Sequence, residues 1–190
     1  LNQETPVFLG GEKIAKAFFD NKSEVLAEEM VNLKTFHLNL VNELFVENNE
    51  RKMSYERCFS HLEDYLQREP SENFDYDYDQ IVSFGELLST TIISEYFNYK
   101  GIHNKWFDAR YLIRTDNTFR EGKVDWDKTR QKIQKQIGQF LLLENENIAI
   151  TQGFIGATAE HATTTLGREG SDYTAAIFAY SLNAQDVTIW

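Results

Sequence analysis

The sequence has one cysteine, few basic residues and no long apolar run, and each shortage excludes a class of protein. Cys58 is the only cysteine of the 190 residues, so no intrachain disulfide forms; together with a start unlike a signal peptide, this predicts a cytoplasmic protein. The longest apolar runs, such as residues 140–143, fall far short of the roughly 20 residues that cross a bilayer. Lysine and arginine number 19 against 30 acidic residues. This balance excludes nucleic acid and anionic membranes as partners, because both need clustered cations.

The residues that are abundant are those of a globular core. Hydrophobic residues make up 42% of the chain and aromatic residues 14%, which is enough to bury one core of ordinary size or two small ones. The four histidines have no ligand spacing between them, so no metal site is predicted from them.

Apolar periodicity predicts a helical N-terminal half. Helices are expected over residues 23–46, 54–68 and 78–99, the first opened by an Asn21–Glu24 capping box and the last ended by Gly101. No element is predicted for residues 1–11. The acidic, tyrosine-rich stretch 71–79 is expected to be a solvated helix start, because it lacks the spacing of a calcium loop.

The C-terminal half alternates strand and helix. Strands are predicted over residues 103–108, 147–151, 162–166 and 186–190, and helices over 126–143 and 171–182. Such alternation implies an α/β fold with a mainly parallel sheet.

The densest candidate site is the turn that follows the strand at 162–166. Gly167 and Gly170 let the backbone bend and approach a ligand, and a helix opens near Ser171. Its free N–H groups suit a phosphate or carboxylate, and the guanidinium of Arg168 suits a carboxylate. The alternative is an ordinary strand-to-helix turn in which Ser171 or Asp172 caps the helix and Arg168 is solvated.

Two further segments carry weaker signals. Gly153 and Gly156 follow a predicted strand, at the sheet edge where ligands collect in α/β folds. Glu86 follows Gly85, whose presence in a helix costs about 1 kcal/mol against alanine and suggests a close approach to the backbone. A Ser83–Glu86 capping box is the alternative there. If the three segments meet, they offer groups for a carboxylate, an ammonium and a phosphate.

At these residues the sequence resembles the aspartate kinase family of the amino-acid kinase fold, most closely its lysine-sensitive type. The resemblance covers residues 81–190 well and the earlier helices in outline. The matching segments are Ser83-Phe84-Gly85-Glu86, Trp106-Phe107-Asp108-Ala109-Arg110, Arg114-Thr115, Thr151-Gln152-Gly153-Phe154-Ile155-Gly156 and Thr163-Thr164-Thr165-Leu166-Gly167-Arg168-Glu169-Gly170-Ser171-Asp172-Tyr173-Thr174-Ala175-Ala176.

The resemblance implies a three-layer α/β/α sandwich and the transfer of the ATP γ-phosphate to the side-chain carboxylate of L-aspartate. The product would be 4-phospho-L-aspartate, at the first step of lysine, threonine and methionine synthesis. ATP with Mg²⁺ would be the co-substrate, and the full-length protein would be a homodimer.

The residue roles are carried over with the resemblance. Glu86 would bind the amino group of aspartate, and Arg168 would bind a carboxylate and act in catalysis. Asp172 would organise a catalytic lysine and the moving phosphoryl group. The remaining positions would hold the substrate (Gly170, Ser171, Phe154) or form the backbone loops around it (Gly153, Gly156, Gly167).

The chain departs from the family pattern in three respects. Glu169 stands where the family has glycine, and Val7-Phe8-Leu9-Gly10-Gly11-Glu12 is not equated with the family's lysine-containing first motif. The nucleotide-binding segment and the ACT domains that follow in the family are not in the sequence. We therefore expect residues 1–190 to be part of one catalytic domain, with 12–100 mainly helical and 101–190 binding substrate, and to be inactive alone.

Two alternatives stay open. The first is another enzyme of the amino-acid kinase fold, acting on glutamate or a nucleoside monophosphate. The second is a non-catalytic module that keeps the fold.

Overall fold

The computed structural model describes residues 6–45, 53–143 and 148–189. The chain divides into two compact units, Leu1–Lys100 and Gly101–Trp190. None of the helices within the described ranges is both long and apolar enough to cross a membrane.

The described residues of the first unit form four helices: α1 (Pro6–Phe19), α2 (Ser23–Leu44), α3 (Met53–Leu66) and α4 (Phe74–Tyr99). Helix α4 is the centre of this unit, since both α1 and α3 pack against it, and α1 also packs against α2. The buried apolar side chains of the unit include Ile14, Phe18, Val41, Leu62, Ile81 and Leu88. Their burial supplies most of the stability of such a helical unit.

The three predicted helices of this half are confirmed to within a few residues. Val46, the expected end of the first, lies outside the described residues. Helix α1 was not predicted, because Gly10 and Gly11 lower the helix propensity of its sequence. Packing against α4 outweighs that cost.

The predicted capping box at Asn21 is wrong. Asn21 has a left-handed backbone (φ 55°), and its N–H donates to Phe18 O at 3.1 Å while the Lys22 N–H donates to Ala17 O at 2.8 Å. These two bonds are the Schellman pattern that ends a helix. Asn21 therefore ends α1 and does not cap α2.

The expectation that residues 71–79 are a solvated helix start is half right. Asn73 is the N-cap of α4, and its side chain accepts from the N–H groups of Asp75 and Tyr76. Asp77, however, is buried. It accepts hydrogen bonds from the Tyr65 hydroxyl at 2.7 Å and from the Ser71 backbone and hydroxyl at 2.8 and 3.0 Å, so it stabilises the fold instead of facing water.

The second unit holds two pairs of strands. Strands β1 (Asn104–Phe107) and β2 (Ile148–Thr151) are parallel, and β3 (Ile155–Ala157) and β4 (Thr163–Thr165) are antiparallel. The helices are α5 (Ala109–Leu112), α6 (Trp126–Ile133), α7 (Gln139–Leu143) and α8 (Gly170–Leu182), with a π-helical turn (Gln134–Gly138) between α6 and α7. Their core contains Phe107, Leu112, Ile113, Ile133, Ile137, Leu166 and Ile177.

Most predicted elements of this unit are confirmed, with four differences, the first being that α5 was not predicted. The helix expected over 126–143 contains the π-helical turn, and β3 falls on residues for which no element was predicted. The strand expected over 186–190 is wrong for 186–189, which have no regular structure, and Trp190 lies outside the described residues, as does Asn147. Among the described strands, none pairs with 186–189, and a strand needs a partner for its backbone groups.

Candidate functional site

A tight turn follows β2, and its first residue, Gln152, is held in place by a hydrogen bond to α5. Gln152 is 0% exposed, and its side-chain Oε1 accepts a hydrogen bond of 2.7 Å from the Ala109 N–H at the start of α5. The buried amide thus ties the end of β2 to the end of β1, from which α5 continues. The turn leaves the sheet in a fixed direction.

Phe154 occupies a left-handed backbone conformation in this turn, with φ at 68°. Both of its backbone polar groups are bonded within the unit: its N–H donates to Thr174 Oγ1 at 3.0 Å, and its carbonyl accepts from the Leu166 N–H at 2.8 Å. A bulky residue takes up this strained conformation only where its surroundings hold it. Here α8 and the end of β4 do so.

Two glycines bring this turn into contact with the first turn of α8. A Cβ added to Gly153 would lie 3.0 Å from Ser171 Oγ and 3.1 Å from Ser171 Cα, and one added to Gly170 would lie 2.7 Å from Phe154 Cδ2. Only the missing side chains allow this approach. The structure therefore brings together Gly153, Phe154, Gly170 and Ser171, which were predicted from two separate segments.

Gly156 plays a different part from Gly153. It lies inside β3, and a Cβ there would meet Ile113 O and Ile113 Cγ2 at 3.0 Å and Thr115 Cγ2 at 3.1 Å. Its predicted place in a ligand-binding turn is thus corrected: it lies within a strand and packs against the segment after α5.

The start of α8 has free backbone donors. The Gly170 N–H donates to Gly167 O at 3.1 Å and the Tyr173 N–H to Glu169 O at 3.0 Å; within the described residues, the N–H groups of Ser171 and Asp172 have no carbonyl acceptor. Such groups, with the positive end of the helix dipole, form an anion-binding site. Ser171 and Asp172 are exposed.

The residue at the N-cap of α8 is Glu169, not Ser171 or Asp172, so the alternative that one of these two caps the helix is wrong. Glu169 has a left-handed backbone (φ 57°), and its side chain makes no capping hydrogen bond. Gly167 is also left-handed, with φ at 79°. The chain therefore bends sharply on both sides of Arg168.

The same alternative also expected Arg168 to be solvated, and this part agrees with the structure. Its side chain is 92% exposed, and its Nε lies 4.0 Å from Oε1 of Glu169, whose side chain is 78% exposed. An ion pair this exposed contributes little energy, so an anionic ligand can replace Glu169 as the partner of the guanidinium.

Glu86 lies in the first unit, in the interior of α4, so the Ser83–Glu86 capping box is wrong. Ser83 donates instead to Gln80 O at 2.9 Å. Glu86 is half-buried, and burial raises the pKa of its carboxyl above the ordinary value of 4.5. Its carboxylate has no hydrogen bond or ion pair to any residue in the described part of the chain. Such a group has the energetic character of a cation-binding site.

The structure shows no cluster of acidic, histidine or cysteine side chains that could hold a metal ion by itself. Within residues 6–45, 53–143 and 148–189, no three His, Cys, Asp or Glu lie close enough together. Magnesium usually binds through one or two carboxylates and the phosphates of its nucleotide. The exposed carboxylate of Asp172 in the first turn of α8 fits that pattern.

Gln152 and Thr174 were missed by the sequence analysis. Thr174 lies one helical turn after Gly170, and its hydroxyl donates to Gly170 O at 2.7 Å as well as accepting from Phe154. No local pattern marks either residue, because the bonds from the Ala109 N–H to Gln152 and from the Phe154 N–H to Thr174 join segments distant in sequence.

Comparison with known proteins gives consistent matches. The sequence pattern of the amino acid kinase family matches residues 12–190. The chain is 42% identical to lysine-sensitive aspartokinase 3 of Escherichia coli (strain K12) over 112 residues, which are 59% of this chain and 24% of that protein. It is 30% identical to chloroplastic aspartokinase 1 of Arabidopsis thaliana over 187 residues, 97% of this chain and 32% of that one.

The fold agrees with these matches. A crystal structure of E. coli aspartokinase III with aspartate and ADP superposes with a TM-score of 0.85 at 29% identity, covering 98% of this chain and 40% of that one. The predicted resemblance and the predicted α/β fold are thus confirmed. The chain belongs to the amino acid kinase family.

Proposed function

We propose that the protein containing this chain is an aspartate kinase, which transfers the γ-phosphate of ATP to the side-chain carboxylate of L-aspartate and forms 4-phospho-L-aspartate. This would be the first step of lysine, threonine and methionine synthesis. The observation that carries the proposal is the start of α8, where free N–H groups and the solvated Arg168 lie beside the Phe154 turn. Solved structures of E. coli aspartokinase III contain aspartate with ADP or with lysine, which supports it.

Arg168 binds a carboxylate of aspartate in this proposal. Its planar fork offers paired donors that match a carboxylate. The Ser171 N–H adds a donor at the positive end of α8. Gly170 contributes by leaving room for the Phe154 ring, since its own N–H donates to Gly167 O, and Gly153 leaves room for Ser171.

Glu86 binds the amino group of aspartate. Its half-buried carboxylate has a raised pKa, and an ammonium ligand would favour the charged form again. Binding of the substrate therefore relieves an unfavourable burial, which gives selectivity for a ligand with a positive group.

ATP and Mg²⁺ are the proposed co-substrates, and Asp172 is the residue of this chain that would face them. The metal neutralises charge on the transferring phosphoryl group when it is bound. The protein's task in phosphoryl transfer is mainly to position groups and stabilise charge. In this scheme Arg168 and the α8 N–H groups orient the accepting aspartate, and Asp172 orients the catalytic lysine and the phosphoryl group.

Several narrower expectations stay predictions. They are the homodimer, the cytoplasmic location, the assignment of 12–100 and 101–190 to one catalytic domain, and the inactivity of these 190 residues alone. The chain spans 24% of the length of the E. coli relative and 32% of that from Arabidopsis, so tests of activity require the whole protein.

The decisive experiment measures ADP release by the whole protein with aspartate, with glutamate and with no acceptor. We expect dependence on aspartate. Arg168→Ala should lower kcat/KM for aspartate about 10- to 100-fold, since a hydrogen bond to a charged group contributes about 1.5–3 kcal/mol. Arg57→Ala, which removes an exposed arginine of α3, is the control and should keep wild-type kinetics. Equal activity of both variants would refute the role of Arg168, and a preference for glutamate would refute the substrate.

A further inference from the structure

The hydroxyl of Thr174 joins the two halves of the candidate site. Thr174 is 3% exposed. Its Oγ1 accepts from the Phe154 N–H at 3.0 Å and donates to Gly170 O at 2.7 Å. One hydroxyl supplies a single donor and has room to accept, so both capacities are used within the site.

The two bonded groups come from segments that are distant in sequence, and the hydroxyl adds hydrogen bonds to the packing between them. Phe154 is in a left-handed conformation, which for a bulky residue is strained and must be held from outside. Gly170 is the first residue of α8, and its Cα faces the Phe154 ring so closely that no side chain fits between them. The hydroxyl therefore fixes the Phe154 turn to the helix start.

We propose that Thr174 is a positioning residue for the carboxylate substrate, acting through Phe154 and the first turn of α8. The inference rests on the proposed function, because it assumes that these two segments bind the substrate. Without the hydroxyl, the hydrogen bond from the Phe154 N–H to α8 is lost, and packing holds the turn against α8 less firmly. Small displacements of positioning groups are costly to substrate binding and turnover.

The test compares Thr174→Val with Thr174→Ser in the whole protein. Valine keeps the shape of threonine but lacks the hydroxyl, whereas serine keeps the hydroxyl. We expect the KM for aspartate to rise about tenfold in Thr174→Val and by no more than about twofold in Thr174→Ser, with the KM for ATP unchanged in both. Such a split is not produced by a general loss of stability.

Thr129 provides the matched control. It is a buried threonine, 0% exposed, whose Oγ1 accepts from the Arg114 N–H at 3.0 Å and donates to Arg114 O at 3.4 Å. Thr129→Val therefore removes one accepted and one donated hydrogen bond, as Thr174→Val does, but at a place away from Phe154. Both bonds of Thr129 go to the segment before its helix, whereas Thr174 also donates within its own helix. It should lower the thermal midpoint as Thr174→Val does and leave the KM for aspartate unchanged.

The outcomes separate the inference from the proposed function. If the wild-type protein is active on aspartate but Thr174→Val keeps its KM, or Thr129→Val raises it equally, the positioning role is refuted. If the wild-type protein releases no ADP with aspartate, the proposed function fails. The wild-type assay alone gives that result, so it cannot be confused with a failure of the Thr174 inference. A selective rise in KM that serine rescues supports the inference.

Discussion

Replacing Gly153 by alanine tests the contact between the Phe154 turn and α8. The new Cβ would lie 3.0 Å from Ser171 Oγ and 3.1 Å from both Ser171 Cα and Cβ, whereas ordinary contacts begin at 3.4 Å. A different rotamer of Ser171 relieves the contact with Oγ but not those with Cα and Cβ. The first turn of α8 or the turn around Gly153 must therefore move by a few tenths of an ångström.

The expected cost follows from overpacking. Extra atoms in a well-packed region cost about 1–3 kcal/mol. For a chain of this size, each kcal/mol lowers the thermal midpoint by about 2–4 °C, so a loss of about 2 kcal/mol corresponds to about 4–8 °C. Because the displaced residue is Ser171, whose N–H is proposed to bind substrate, the KM for aspartate should rise as well.

Gly138→Ala is the control for this substitution. Gly138 lies in the π-helical turn, and an added Cβ would first meet Leu182 Cδ2 at 3.6 Å, an ordinary contact. Alanine also favours helix over glycine by about 1 kcal/mol, so this variant should be as stable as wild type or more so. Thermal unfolding followed by circular dichroism and steady-state kinetics measure both effects. A Gly153→Ala midpoint no lower than that of Gly138→Ala would refute the packing argument.

Three further substitutions test the acidic residues Glu86 and Glu169. Because burial raises the pKa of Glu86 above 4.5, the native state binds its proton more readily than the unfolded chain, and the free energy of unfolding falls as pH rises from 4.5 through the raised pKa. Glu86→Gln should remove this pH dependence of the free energy of unfolding, as measured by urea titrations at a series of pH values. It should also weaken aspartate binding. A pH dependence of stability equal to that of wild type would contradict the assignment to Glu86. Glu169→Gly should raise the thermal midpoint, since glycine tolerates φ of 57°, and should lower the KM for aspartate up to a few-fold by freeing Arg168. Glu169→Gln should change only the KM, and a KM unaltered in both variants would show that Glu169 does not compete for Arg168.

The sequence predicts α2, α3 and α4 of the first unit because the apolar pattern that stabilises each helix lies within its own residues. Residues of α2, α3 and α4 repeat apolar side chains at helical spacing, and their observed bounds follow that spacing closely. Asn21 shows the limit of such patterns. The same asparagine that suits the start of one helix also suits the left-handed end of another, and only the bonds from Asn21 and Lys22 back into α1 decide between them.

Strands are predicted less well, since each depends on a partner elsewhere. Residues 162–166 and 186–190 both suit a strand. Among the strands that the structure describes, β3 pairs with the first segment, and none pairs with 186–189. β3 itself is three residues with a glycine in the middle, which reads as a turn until Ile113 and Thr115 are placed against Gly156. Strand propensity reflects fit to neighbours more than an intrinsic preference of the backbone.

The residues of the candidate site also differ in whether local sequence or the folded chain identifies them. Arg168 and Glu86, which would carry the charges, were predicted from the sequence because binding a carboxylate or an ammonium demands particular side chains. The residues that hold the backbone, Gln152 and Thr174, were not, since any buried polar side chain could in principle make such bonds and only the distances in the folded chain identify them. Substitution of Gln152 or Thr174 should therefore change substrate binding although neither side chain is proposed to contact the substrate. For this reason a variant of Thr174 tests whether the fold positions the site, whereas a variant of Arg168 tests only whether a binding group is present.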